Sequence, residues 1–126
     1  MQIAHIAVWA ERLETLRDFY AAYFGAEVGE KYVNPAKGFE SYMLTFGTGC
    51  ALELMRRTDI RGTVGPERIG LTHLAFGCGG REELLALTER LRGDGHPILG
   101  EPRTTGDGFF ESVVADPDGN RIELTC

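Results

Sequence analysis

One half of this 126-residue chain repeats the pattern of the other, and the duplication limits the folds open to it. His5-Ile6-Ala7-Val8 returns as His73-Leu74-Ala75-Phe76, an offset of 68 residues. Ala51-Leu52-Glu53-Leu54-Met55 returns as Arg121-Ile122-Glu123-Leu124-Thr125, an offset of 70. Each half thus reads His-apolar-Ala-apolar, a helix-like segment, then apolar-Glu-Leu. The simplest reading is one domain, residues 1–126, built from two repeats at about 1–60 and 70–126 whose halves share a sheet. At this length a single core buries roughly two thirds of the unfolded surface.

The elements follow from periodicity. Gln2 to Trp9 alternates, with Ile3, His5, Ala7 and Trp9 on one face and Ala4, Ile6 and Val8 on the other. Leu13, Leu16, Tyr20, Tyr23 and Phe24 recur at helical spacing, and Gly25 is placed to stop that helix. Strands are expected near 26–33, 39–47 and 50–57, with turns at Asn34-Pro35-Ala36-Lys37-Gly38 and Gly47-Thr48-Gly49. Residues 58–70, rich in glycine, form the expected connector. The second half then gives a strand over 71–77, a helix over 82–92 and strands near 96–100, 107–115 and 120–125. Gly93 maps onto Gly25 as its stop, Gly106-Asp107-Gly108 reads as a hairpin or flap, and Asp116-Pro117-Asp118-Gly119 is a dense turn signal. The chain is α+β, β-α-β-β-β twice.

Several classes drop out. No apolar run approaches the roughly 20 residues that cross a bilayer, and the N-terminus does not read as a signal peptide. The expectation is a cytoplasmic protein with no membrane partner. Cys50, Cys78 and Cys126 are odd in number and scattered, without Cys-x-x-Cys, which fits reduced thiols. A net charge of −6 argues against nucleic acid as a partner.

Two-residue alternation places His5, Glu53, His73 and Glu123 opposite the aliphatic residues that pack under the helices. Any one of them alone is better read as a half-buried or solvated strand residue. Four of them, duplicated in step, are better read as ligands. Imidazole nitrogens with carboxylate oxygens suit Zn, Ni, Co, Mn or Fe, and four ligands on a six-coordinate ion leave positions for two substrate oxygens. Such an ion is a Lewis acid that acidifies a neighbouring C–H, and a glutamate at its edge can shuttle the proton.

With these residues the chain resembles the vicinal oxygen chelate superfamily, which includes glyoxalase I (lactoylglutathione lyase), over essentially its whole length. The resemblance is carried by His5, Leu52-Glu53-Leu54, Thr72-His73-Leu74-Ala75 and Asp116-Pro117-Asp118-Gly119-Asn120-Arg121-Ile122-Glu123-Leu124, with Asp18-Phe19-Tyr20 and Phe24-Gly25 in the first helix. It implies paired β-α-β-β-β modules forming a curved mixed sheet around a metal-binding cleft. It implies His5, Glu53, His73 and Glu123 as the metal ligands of a bacterial-type glyoxalase I, with nickel, cobalt or zinc. Glu123 is then the ligand that also acts as base, and Glu53 its counterpart. It further implies a homodimer in which His5 and Glu53 of one chain meet His73 and Glu123 of the other. Glutathione-using relatives carry an arginine and an asparagine where this chain has Trp9 and Arg57. Both residues face the expected cleft and become candidate substrate-binding groups: Trp9 for a flat or apolar part, Arg57 for a carboxylate or phosphate.

The leading expectation is a metal-dependent lyase or isomerase acting on a thiohemiacetal or a related small α-hydroxycarbonyl substrate through an enediolate. An epimerase acting beside a thioester carbonyl would use the same chemistry. A thiol transferase or extradiol dioxygenase needs only His5, His73 and Glu123, and Glu53 argues against those. A non-catalytic binder of an aromatic or anionic drug, as in bleomycin-resistance relatives, is the alternative from another class. Trp9, Phe109 and Phe110 keep it open.

Overall fold

The first strand, β1 (His5–Trp9), runs parallel to β5 (Ala51–Arg57), with Ala7 opposite Glu53 and Trp9 opposite Met55. The computed structural model describes residues 1–62, 69–106 and 108–126. Between β1 and β5 lie helix α1 (Leu13–Phe24) and strands β2 (Glu27–Val28), β3 (Tyr32–Asn34) and β4 (Phe39–Thr45). The second half follows with β6 (Leu74–Gly77), α2 (Arg81–Gly93), β7 (Ile98–Thr104), β8 (Phe110–Ala115) and β9 (Arg121–Thr125). The α+β class and the duplicated β-α-β-β-β plan are therefore those expected. Residues 63–68 of the expected connector and Asp107 of the expected hairpin lie outside the described residues.

Among the described residues the strands bond as two sheets, one in each of two compact units, Met1–Thr63 and Val64–Cys126, rather than as one shared sheet. The first sheet has the order β1-β5-β4-β2, with β3 also on β4; the second has the order β6-β9-β8-β7. In each, one parallel pair (β1 with β5, β6 with β9) sits within otherwise antiparallel strands.

In the first unit α1 lies on β5, β4 and β2. Leu13, Leu16, Phe19 and Tyr20 of the helix and Tyr42, Leu44, Leu52 and Leu54 of the sheet are buried. Each buried leucine stabilises the unit by about 1.5–3 kcal/mol. Gly25 ends the helix in the left-handed region, φ 64°, as expected of a glycine in that place. In the second unit α2 lies on β8 and β7 and buries Leu84, Thr88 and Leu91 with Val114, Ile122 and Leu124. Glu82 and Glu83 in its first turn and Arg90 and Arg92 in its last complement the helix dipole.

Boundaries differ from expectation for local reasons. The strand expected over 26–33 is two short ones, both on β4, separated around Gly29. A Cβ there would sit 3.1 Å from the Met43 carbonyl oxygen, which Gly29 N–H reaches at 2.9 Å. Helix α2 runs through Gly93, and the left-handed residue is Gly95. Strand β7 extends to Thr104, past the expected end at 100, because register shifts around Gly100 carry it over Pro102.

Candidate functional site

Glu123 is placed by a tight turn. At the β8–β9 hairpin Asp116, only 3% exposed, accepts the backbone N–H groups of Asp118 (3.0 Å) and Asn120 (2.8 Å) through Oδ1. Its Oδ2 accepts the Asn120 side-chain amide at 2.8 Å. Gly119 takes φ 86°, so the Asp-Pro-Asp-Gly-Asn sequence closes into one arrangement and fixes the register of β9. Glu123 then stands opposite Ala75 on one side and Val113 on the other. Glu53 stands opposite Ala7 and Met43. Both glutamates occupy a central strand, flanked by the same alanine of the repeated His-apolar-Ala pattern.

Each histidine precedes that alanine by two residues, so it reaches diagonally toward the glutamate. His5 Nε2 lies 3.9 Å from Glu53 Oε2, and His73 Nε2 lies 3.6 Å from Glu123 Oε2. The glutamate side chains are 22% and 19% exposed, the histidines 48% and 41%. His73 sits one residue before β6, yet the pair geometry matches that of His5 in β1. Two ligands about 2.1 Å from one ion stand about 3.0 Å apart in octahedral and about 3.4 Å in tetrahedral geometry. Each His–Glu pair is thus within a small side-chain adjustment of sharing an ion, and too far apart to hydrogen-bond. Each unit thus holds one such His–Glu pair. Among the described residues, no group of three or more His, Cys, Asp or Glu side chains is gathered closely enough to hold a metal ion.

The open face of the first unit continues from this pair into an aromatic cluster. Trp9 meets Phe39 edge-on at 6.3 Å between centroids, and Phe39 lies 6.1 Å from Tyr32. The Arg57 guanidinium sits over the Trp9 ring at 5.2 Å, and its Nε donates to Asp59 Oδ1 at 2.5 Å. That bond holds the Asp59 carboxyl below its usual range. Beyond it an open recess of about 590 Å³ is lined by Lys37, Gly38, Arg57, Thr58 and Asp59 among others. Gly38 is required there: its φ is +57°, and a Cβ would lie 2.6 Å from Thr58 Oγ1. Arg57 is four residues along the strand from Glu53, about 13 Å. Trp9 and Arg57 thus fall together, as their shared face implied. Phe39, Tyr32 and Lys37 were not singled out from sequence; alternation on β4 counted back from Glu53 would have found Phe39.

The second unit's open face is charged instead. Gly77 stands at the place of Trp9, and Glu111, almost fully buried beside the Glu123 strand, is held by Arg103 at 2.8 Å.

A family model described as the glyoxalase/bleomycin resistance protein/dioxygenase superfamily matches residues 2–124. An uncharacterized protein, YqjT, of Bacillus subtilis strain 168 is 34% identical over 62 residues, which are 47% of this chain and 48% of that protein. The chain thus matches about half the length of this curated relative. A glyoxalase family protein from Enterococcus faecalis superposes with a TM-score of 0.81 at 28% identity, covering 99% of this chain and 97% of that one. The trypanothione-dependent glyoxalase I of Leishmania major gives a TM-score of 0.79 at 27% identity, covering 98% and 85%.

Proposed function

The chain belongs to the glyoxalase/bleomycin resistance protein/dioxygenase superfamily, and on that premise we propose that it is a metal-dependent lyase or isomerase of the glyoxalase I type. The observation that carries the reading is the duplication of one His–Glu geometry, 3.9 Å and 3.6 Å, in one strand register. His5 with Glu53 and His73 with Glu123 are the proposed ligands of a divalent transition metal, nickel, cobalt or zinc, with manganese or iron as further options. The pairs are drawn from two copies of the chain in a homodimer. Donors of this mixed nitrogen and oxygen set, with half-exposed imidazoles, fit such an ion.

When bound, the ion supplies Lewis acidity to two neighbouring substrate oxygens. The chain's own residues do the rest. Glu123 takes the proton from the hydroxyl-bearing carbon of a thiohemiacetal and returns it to the adjacent carbon, leaving a thioester. Glu53 balances it from the other pair. Trp9 and Phe39 receive the flat or apolar part of the thiol adduct. Arg57, whose Nε is engaged by Asp59, and Lys37 receive a carboxylate or phosphate about 13 Å along the strand from Glu53. The Leishmania major enzyme is trypanothione-dependent, which supports a thiol carrier matched to each member's own recess.

The test has two parts. Elemental analysis of purified protein is expected to find one transition metal ion per chain, lost in Glu123→Ala. Metal-loaded protein given methylglyoxal and a panel of thiols is expected to develop thioester absorbance with at least one of them. Metal without thioester from any thiol would move the reading to an epimerase or another superfamily chemistry. No metal at all, with quenching of Trp9 fluorescence by an aromatic anion, would replace it with the drug-binding reading that Trp9, Phe39 and Tyr32 favour.

A further inference from the structure

We propose that Cys78 and Cys126 form an oxidisable dithiol site, closed into a disulfide by exchange with a low-molecular-weight disulfide. In sequence the two are far apart; the β6–β9 register brings them side by side. That ladder pairs Leu74 with Ile122 and ends with Gly77 opposite Thr125, so the next step sets Cys78 beside Cys126. The bonding continues through this step. Cys78 N–H donates to the Thr125 carbonyl at 2.8 Å, and Cys126 exchanges both backbone bonds with Phe110 at 3.1 Å and 3.0 Å.

In-register residues on neighbouring strands have Cα atoms about 4.8 Å apart. Disulfides span Cα separations of about 4.4–6.8 Å. Alternation from Phe76 and Leu124 turns both side chains to the same face of the sheet. Cys78 follows the last residue of β6 and Cys126 the last residue of β9, so the ladder's own bonds hold the two at matching strand ends.

The steps follow from exposure. Cys126 is exposed and Cys78 is half-buried. Cys126 Sγ, as thiolate, attacks one sulfur of the external disulfide. A Cys126–S–S–R bond forms, the R–S–S–R bond breaks, and one RS⁻ leaves and takes up a proton. Cys78 gives its proton to solvent and attacks Cys126 Sγ, expelling the second RS⁻. Two protein thiols are oxidised and one external disulfide is reduced to two thiols, so atoms and electrons balance. Burial pushes the Cys78 thiol up, with the Glu83 and Cys126 charges adding to it, which leaves Cys78 a poor first attacker. Its own step is intramolecular, where proximity offsets a scarce thiolate. The product ties β6, which follows His73, to β9, which carries Glu123.

The experiment uses the full chain in metal-free buffer with oxidised glutathione as the probe, followed by intact mass and peptide mapping. The wild type is expected to lose two hydrogens at a Cys78–Cys126 link, while Cys50 alone keeps a glutathione adduct. Cys78→Ser, a change close in size, is expected to keep a second adduct on Cys126, and a circular dichroism spectrum matching wild type shows that it folds. A wild-type adduct that persists on Cys126 with Cys78 free would overturn the proposal. So would links that join Cys50 instead, or a Cys126 that does not react.

Discussion

Tyr20 and Tyr42 fill the space between helix and sheet in the first unit. At the repeated positions of the second stand Thr88 and Ser112. The tyrosines bring ring area, and Tyr42 keeps its hydroxyl at the edge, where Arg17 donates to it at 3.0 Å. Thr88 and Ser112 are fully buried and hydrogen-bond each other at 2.8 Å, while the Thr88 hydroxyl also reaches the Leu84 carbonyl at 2.8 Å. One interior is aromatic and the other is closed by a small polar pair, yet both present a glutamate opposite an alanine and a histidine reaching across to it. Strand register, set by turns and alternation, fixes the His–Glu pairs. The filling beneath them is free to vary.

The comparison breaks most sharply at the glutamates. If Glu123 is the base and Glu53 its counterpart, Glu123→Gln lowers kcat by about 10²–10⁴ in metal-loaded protein, and Glu53→Gln lowers it less. Equal losses would make the two pairs interchangeable. An unaffected Glu53→Gln enzyme would point to three-ligand chemistry. Steady-state kinetics with the active thiol adduct decides.

Next come the cores. Leu16→Ala and Leu84→Ala remove the same leucine of the repeat, both fully buried, and each is expected to cost about 2–5 kcal/mol in urea unfolding. A much smaller loss at Leu84 would mean that the second unit's core collapses around the gap more readily.

A sharper version uses the hydroxyls. Ser112→Ala strands the Thr88 hydroxyl with only its Leu84 bond and is expected to cost about 1–3 kcal/mol. Thr88→Val with Ser112→Ala is expected to recover part of that loss. Tyr42→Phe, which removes an edge contact, is expected to cost about 0.5–1.5 kcal/mol.

The smallest effect is electrostatic and belongs to the first unit. Lys31 joins Glu14 of α1 and Glu40 of β4, at 2.5 Å and 2.6 Å. Its hydrogen bonds hold both carboxyls below the usual glutamate value of 4.5, with Arg56 assisting at Glu40. A depressed folded-state value contributes stability above the unfolded-state value and loses it as pH falls through the folded one. Urea midpoints are therefore expected to decline below about pH 4.5, less steeply in Glu40→Gln. An identical decline in that variant would remove the Lys31 cluster as the cause.

Much of this was legible in the sequence. A period of two places Ile122 and Leu124 under α2 and Glu123 on the other face, whatever the strand's ends. The His–Glu pairs follow from that and from the repeat. Gly29 and Gly100 hid the split and the bulges, because their effect depends on what lies opposite: the Met43 carbonyl in one case, the Val113 side chain and Arg103 in the other. The proximity of Cys78 and Cys126 was out of reach for the same reason, since it appears only once Ala75 is known to lie beside Glu123. The Lys37 recess needed the turn of 3₁₀ helix at Pro35–Lys37 to bring it against Arg57.

The parallel pairing of β1 with β5 and of β6 with β9 also governs when a site can exist. His5 and Glu53 are 48 residues apart along the chain, and His73 and Glu123 are 50 apart. Their strands are the first and last of each unit, so the helix and every intervening strand lie between them. Contacts of such long sequence separation bear the largest loop-closure cost and form late in folding. A nascent or partly unfolded unit therefore has no assembled His–Glu pair, and if the proposed ligands hold a metal, its capture in a refolding experiment is expected to lag behind the appearance of helix signal. Assembly of the pair would then report that a unit has closed from its first strand to its last.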